Sequence, residues 1–164
     1  MPISVDLKGR RVLLTGASSG IGEATCRSIV EHGATVAMLA RRKERLDKLR
    51  EELGDRVVPI VCDVTDLDAL ERATRVAAEA LGGLDTLICV AGRITVGTIA
   101  TGNPEKWREI FDLNLLAPLA VVRFGVPHFS ADGRRDVVIV GSAASLVART
   151  GVAIYGASKR GLTA

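Results

Sequence analysis

Tyr155 and Lys159 stand four residues apart in YGASK, and Tyr155 is the only tyrosine in the sequence. A phenol can give a proton to a developing alkoxide or take one from an alcohol. A free tyrosine ionises near pH ~10, too high for an efficient base at neutral pH. A nearby ammonium favours the phenolate. Positions i and i+4 of a helix face the same way, so this spacing suits an acid/base with its tuning cation. The same spacing arises by chance on any amphipathic helix, so the pair needs support from elsewhere in the chain.

That support begins at TGASSGIG, Thr15 to Gly22. The stretch follows an apolar run and opens a helical pattern. Gly16, Gly20 and Gly22 let the backbone turn tightly and approach a ligand, with Ser18, Ser19 and Ile21 between them. The helix start then offers free N–H groups and a positive dipole end to a diphosphate. Strand, glycine loop and helix in that order are the context that gives such a motif weight. A second apolar run ends at Leu39-Ala40 and is followed by Arg41-Arg42, with no Asp or Glu between Gly33 and Lys43. An acidic residue there would accept the ribose hydroxyl hydrogen bonds of NAD, whereas arginine suits a 2′-phosphate. NADP(H) is therefore expected over NAD(H). The alternative for Arg41 and Arg42 is a solvated basic helix start.

The elements that must position these residues can be read from the apolar pattern. Strands are expected at Arg11–Thr15, Thr35–Leu39, Val57–Val61, Leu84–Cys89 and Asp136–Val140. Helices are expected at Gly20–His32, Lys43–Leu53 and Asp66–Leu81. A longer helix opens at Asn103-Pro104, a capping side chain followed by proline at the first helical position. It is expected to run to Phe129 with a bend at Pro118. A last helix begins near Val152. The strands are short, β-branched and apolar throughout, as parallel strands covered on both faces are. Their alternation with helices predicts a doubly wound parallel α/β sheet of Rossmann-like type, five strands over a single domain spanning residues 1–164.

Composition excludes several other classes. Of the 164 residues 48% are hydrophobic and 25% charged, the balance of a globular protein with a real core. Aromatics are only 3%, so aliphatic residues must build that core. No unbroken apolar run approaches the ~18 residues that span a bilayer, and no membrane partner is expected. A net charge of +3 and the mixed signs of residues 41 to 50 argue against nucleic acid. Cys26, Cys62 and Cys89 have neither metal-site nor disulfide spacing. They are expected to be buried free thiols in a reducing cytoplasm, and no metal is expected.

The glycine spacing, Gly-x-x-x-Gly-x-Gly, resembles that of the short-chain dehydrogenase/reductase family, and the resemblance continues along the whole chain. Asp63-Val64 after the third strand is similar to the family's adenine-contacting pair. Val90-Ala91-Gly92 after the fourth is similar to its Asn-Ala-Gly motif, with Val90 in place of the usual asparagine. Valine cannot supply the hydrogen bonds of that amide. Asn114 lies where the family carries an active-site asparagine. Ser142 falls thirteen residues before Tyr155 (155 − 142 = 13), as the family's catalytic serine does. The resemblance implies hydride transfer between a nicotinamide and an alcohol or carbonyl. Tyr155 would be general acid/base, and Ser142 would hydrogen-bond the substrate oxygen. Lys159 would tune the tyrosine and bind the nicotinamide ribose, so Tyr155 and Lys159 would both touch the cofactor. Asn114 would hold a water linking Lys159 to solvent. Substrate-facing segments would be Arg93–Gly97 and Ala143–Gly151, where Leu146 and Val147 are apolar and Arg93 and Arg149 basic.

The family architecture also implies two further strands and a substrate lid beyond Ala164, so the chain is expected to be the N-terminal portion of such an enzyme. A homodimer or homotetramer is expected for the complete protein. The other hypothesis is a dinucleotide-binding fragment or degenerate paralogue without useful turnover.

Overall fold

β1 (Arg11–Thr15) is apolar without alternation, and four of its five residues are buried. The reason is a sheet covered on both faces. Leu13 points into one apolar cluster with Leu39, Leu70, Leu87 and Val121. Leu14 points into another with Met38, Cys26, Leu46 and Ile88. Both leucines are fully inaccessible, and burial of such a side chain is worth about 1.5–3 kcal/mol. The computed structural model describes residues 6–131 and 133–163.

The sheet has five parallel strands in the order β3-β2-β1-β4-β5. The others are β2 (Thr35–Ala40), β3 (Val57–Val61), β4 (Thr86–Cys89) and β5 (Asp136–Ile139). The order reverses between β1 and β4, and a crevice opens at the carboxyl ends of these strands, where ligands bind in open α/β sheets. Helices α1 (Gly20–Glu31) and α2 (Lys43–Leu53) supply the cluster around Leu14. Helices α3 (Leu67–Leu81) and α5 (Ala117–Gly125) supply the cluster around Leu13. Asp66 caps α3 through the Ala69 N–H at 2.9 Å.

Two expectations change. The fourth strand starts two residues late, because Leu84 makes only an isolated bridge to Phe129. The long helix is irregular before Pro118, not at it. Helix α4 (Pro104–Phe111) opens as expected, with Asn103 capping the Glu105 N–H at 2.8 Å. It then widens into a π turn over Asp112–Leu116, in which the Ala117 N–H bonds Asp112 O. Pro118 has no N–H to offer the carbonyl of Asn114 four residues back, and a widened turn is one way a helix accommodates such a gap. The 25 residues Pro104–His128 are also long and apolar enough to cross a membrane by length and composition. In this fold the stretch packs on the sheet through Ala117 and Val121.

The sheet is unevenly covered. All four residues of β4 are buried, whereas Val137 and Val138 of the outer strand β5 are 43% and 46% exposed. The last helix, α6 (Ala153–Arg160), is short and sits against Asn114's π turn and α4.

Candidate active site

The crevice holds a cavity of about 420 Å³. Gly16, Ser18, Ser19, Ile21 and Gly22 line it from the first loop. Arg41 and Arg42 enter after β2, Asp63 and Val64 after β3, and Val90, Ala91 and Gly92 after β4. Twelve of the expected cofactor residues thus meet in one space. Gly20, Tyr155 and Lys159 do not line it.

The three glycines serve different ends. Gly16 has φ +73°, and a Cβ there would lie 2.8 Å from Ala91 N. Gly22 is packed so closely that a Cβ would meet Gly16 O at 2.2 Å. Gly20 has φ +53° but open space around it. Two of the three therefore keep side chains out of the loop, and the resulting cradle fits a diphosphate against the start of α1.

The two arginines separate. Arg42 donates to Ser18 Oγ at 2.9 Å and to Ser19 Oγ at 2.6 Å, which folds it over the glycine loop. Arg41 reaches outward to Asp63 at 3.6 Å. Asp63 also accepts from the N–H and hydroxyl of Thr65, at 3.0 and 2.8 Å. Burial works to raise its pKa, but the Thr65 bonds and then Arg41 outweigh this and hold it below the ordinary value.

The turn after β4 that carries Val90 is held by Thr15. The N–H groups of Val90 and Ala91 both bond Thr15 Oγ1 at 3.3 Å, so a hydroxyl at the end of β1 fastens this loop.

A second set of residues converges on Gly92. A Cβ on Gly92 would lie 3.1 Å from Asn114 Oδ1 and 3.4 Å from Lys159 Nζ. Asn114 is fully buried. Its Oδ1 accepts from Arg93 N, and its Nδ2 donates to Arg93 O and to Ser158 Oγ, at 2.9, 2.9 and 3.1 Å. Both amide protons are therefore spent on structure. Lys159 is 5% exposed and donates to Val140 O at 2.9 Å. Burial lowers its pKa, and the Cys89 thiol acts weakly the other way. Burial pushes that thiol up to about 12, so it stays neutral at pH 7.

Ser142 and Tyr155 share a smaller cavity of about 380 Å³ with Ile94, Arg149 and Val152. Ser142 Oγ accepts from Ala144 N at 3.2 Å, which leaves its proton free to donate outward. Tyr155 is half-buried there on the first turns of α6. The three cysteines are buried free thiols, as expected, and no metal-binding group of His, Cys, Asp or Glu occurs among the described residues.

Comparison with known proteins accords with this geometry. The family model described as short chain dehydrogenase matches residues 10–164. The chain belongs to that family. It is 34% identical over 167 residues to a fatty acyl-CoA reductase of Mycobacterium tuberculosis, covering 98% of this chain and 56% of that protein. It is 32% identical over 159 residues to a 3-oxoacyl-[acyl-carrier-protein] reductase of Thermotoga maritima, covering 95% of this chain and 65% of that one. A short chain dehydrogenase from Burkholderia cenocepacia, solved in complex with NADP, superimposes with a TM-score of 0.89 at 30% identity, over 96% of this chain and 66% of that structure. The chain thus spans less than two thirds of each of these two curated relatives.

Two residues of the site were missed in the sequence. Thr15 reads there only as the end of a strand. Ser158 reads as helix filler, yet it is fully buried between Tyr155 O, at 2.7 Å, and the Asn114 amide. Its place one residue before Lys159, on the buried side of α6, was the only available signal.

Proposed function

We propose that this protein is an NADP(H)-dependent oxidoreductase that interconverts an alcohol and a ketone or aldehyde. The observation that carries the reading is the placing of Lys159. Its Nζ is buried beside Gly92, which itself lines the larger cavity. One helical turn earlier, Tyr155 opens onto the smaller cavity with Ser142. A nicotinamide cofactor, when bound, supplies or accepts the hydride.

The chain's own residues do the rest. The N–H groups at the start of α1 hold the diphosphate, and Gly16 and Gly22 keep its bed clear. Arg42 and Ser18 meet the 2′-phosphate, with Arg41 and Asp63 bordering the adenine end. Ser142, its oxygen already engaged by Ala144 N–H, donates its proton to the substrate oxygen. Tyr155 gives or takes the proton at that oxygen. Lys159 supplies the positive charge that an alkoxide or phenolate requires nearby. The Asn114 amide protons are occupied, so a relay water at this residue would be held by its backbone carbonyl. The two reductases among the relatives, and the relative solved with NADP, support this reading by likeness. A homodimer or homotetramer is the proposed assembly, and Leu116 and Leu119, 51% and 50% exposed, offer an apolar face for it.

A second reading is a dinucleotide-binding module without turnover. One observation favours it: Ile94, which lines the smaller cavity, is 58% exposed, so that side of the cavity lies open to solvent. Consumption of NADPH with a panel of ketones and aldehydes separates the two. Turnover that is lost in Tyr155→Phe supports the oxidoreductase. Tight cofactor binding with no turnover of any member favours the module.

A further inference from the structure

The smaller cavity is uneven in charge. Its wall carries the hydroxyls of Ser142 and Tyr155, the apolar side chains of Ile94 and Val152, and Arg149, with no Asp or Glu among its lining residues. Two arginines stand on this side, and their surroundings differ. Arg93, next to Ile94, donates to Glu109 at 2.9 Å and is paired. Arg149 is exposed and has no ion-pair partner among the described residues.

Its position is set by backbone, not by chance. The Gly97 N–H donates to Gly151 O at 2.8 Å, which fastens the segment behind Arg149 to the segment behind Ile94. Gly151 makes this turn at φ +80°. A Cβ on Gly151 would touch Val96 at 3.6 Å, so the two segments are also in contact. Ile94, 58% exposed, and Val152 give the cavity an apolar rim.

An unpaired guanidinium beside two reactive hydroxyls, with an apolar rim, is complementary to an anionic group on an apolar body. One guanidinium fork matches one carboxylate. A phosphate, with charge nearer two, would call on a second cation, and Arg93 is already neutralised by Glu109. We propose that the carbonyl or alcohol compound taken at this site carries a carboxylate, which Arg149 binds while Ser142 and Tyr155 face the reacting oxygen. Arg149 is then a specificity residue outside the proton-transfer set. The inference rests on the oxidoreductase reading above.

The test uses protein saturated with NADP⁺ and a set of straight-chain oxo acids of increasing spacing between carbonyl and carboxylate. Each is paired with its methyl ester, and affinities are measured by calorimetry. At the best spacing the acid is expected to bind about 10-fold or more tighter than its ester. Arg149→Gln should remove that preference and leave ester binding unchanged, and Arg149→Lys should keep part of it. Equal affinity for acid and ester in the wild type overturns the proposal. So does a preference that survives in Arg149→Gln, or the binding of neither ligand while NADP⁺ binds. Those outcomes leave the oxidoreductase reading standing. Failure of NADP⁺ itself to bind overturns both.

Discussion

The two cavities are built by different means. The larger one is walled by the loops that leave β1 to β4, with the glycine loop, Arg41, Arg42 and Asp63 among its lining, and behind it the Thr15 hydroxyl fastens one loop to the next. Behind it Leu13, Leu14, Met38 and Leu39 are all fully buried. The smaller one is walled by side chains on two short segments, above a strand whose Val137 and Val138 are nearly half exposed. Shape on the first side is set by what glycine permits and by close packing. Chemistry on the second side is set by single groups, above all the hydroxyls of Ser142 and Tyr155. Binding and reaction should therefore respond separately to mutation.

The largest expected effect lies on the reacting side. Tyr155→Phe should lower turnover by about 10²–10⁴-fold, the usual share of a general acid/base, while calorimetry finds NADPH affinity unchanged. Equal loss of both would break the contrast between the cavities. Next is Gly22→Ala, whose new methyl meets Gly16 O at 2.2 Å. It should destabilise the fold by about 1–3 kcal/mol in denaturant titrations and abolish cofactor binding. Gly20→Ala has open space and only its positive φ to overcome, so about 1–2 kcal/mol is expected, with binding retained.

A smaller effect sharpens the cofactor side. Arg42→Ala should narrow the preference for NADP over NAD by about 10-fold, a charge-assisted hydrogen bond or two. Arg41→Ala should do less, because Arg41 is 71% exposed and turned to Asp63. Competitive binding of the two nucleotides measures both. The smallest effect concerns the base of the sheet. Burial tends to raise the Asp85 pKa, but its bonds to Arg11, helped by Arg10, hold it below the ordinary value. Its stabilising share is therefore present above about pH 4 and is lost as acid titrates the folded carboxylate. Thermal melts of Arg11→Met should show a weaker dependence on pH in that acid range.

The cofactor side was legible in the sequence because it is local. A strand end, a glycine loop and a helix start lie within the eight residues Thr15–Gly22, and Arg41, Asp63 and Val90 each follow an apolar run that ends at the same edge of the sheet. The division between Arg41 and Arg42 was not legible, since it depends on partners from other loops, Ser18 and Ser19 for one and Asp63 for the other. The reacting side depends on contacts across long separations. Asn114 meets Arg93 and Ser158, and Lys159 meets Val140, only once the sheet is closed. The π turn escaped notice for a related reason. Pro118 signalled an irregular helix, but the turn that takes up the missing hydrogen bond falls before it, around the buried Asn114.

The central claim is that the two cavities work together, one holding NADP(H) and the other placing Tyr155 at a carbonyl. It is tested most directly by following NADPH oxidation in wild-type protein and in Tyr155→Phe, each first shown by calorimetry to bind the cofactor. The account predicts equal binding, with carbonyl-dependent oxidation in the wild type alone. Undiminished oxidation in Tyr155→Phe would contradict it.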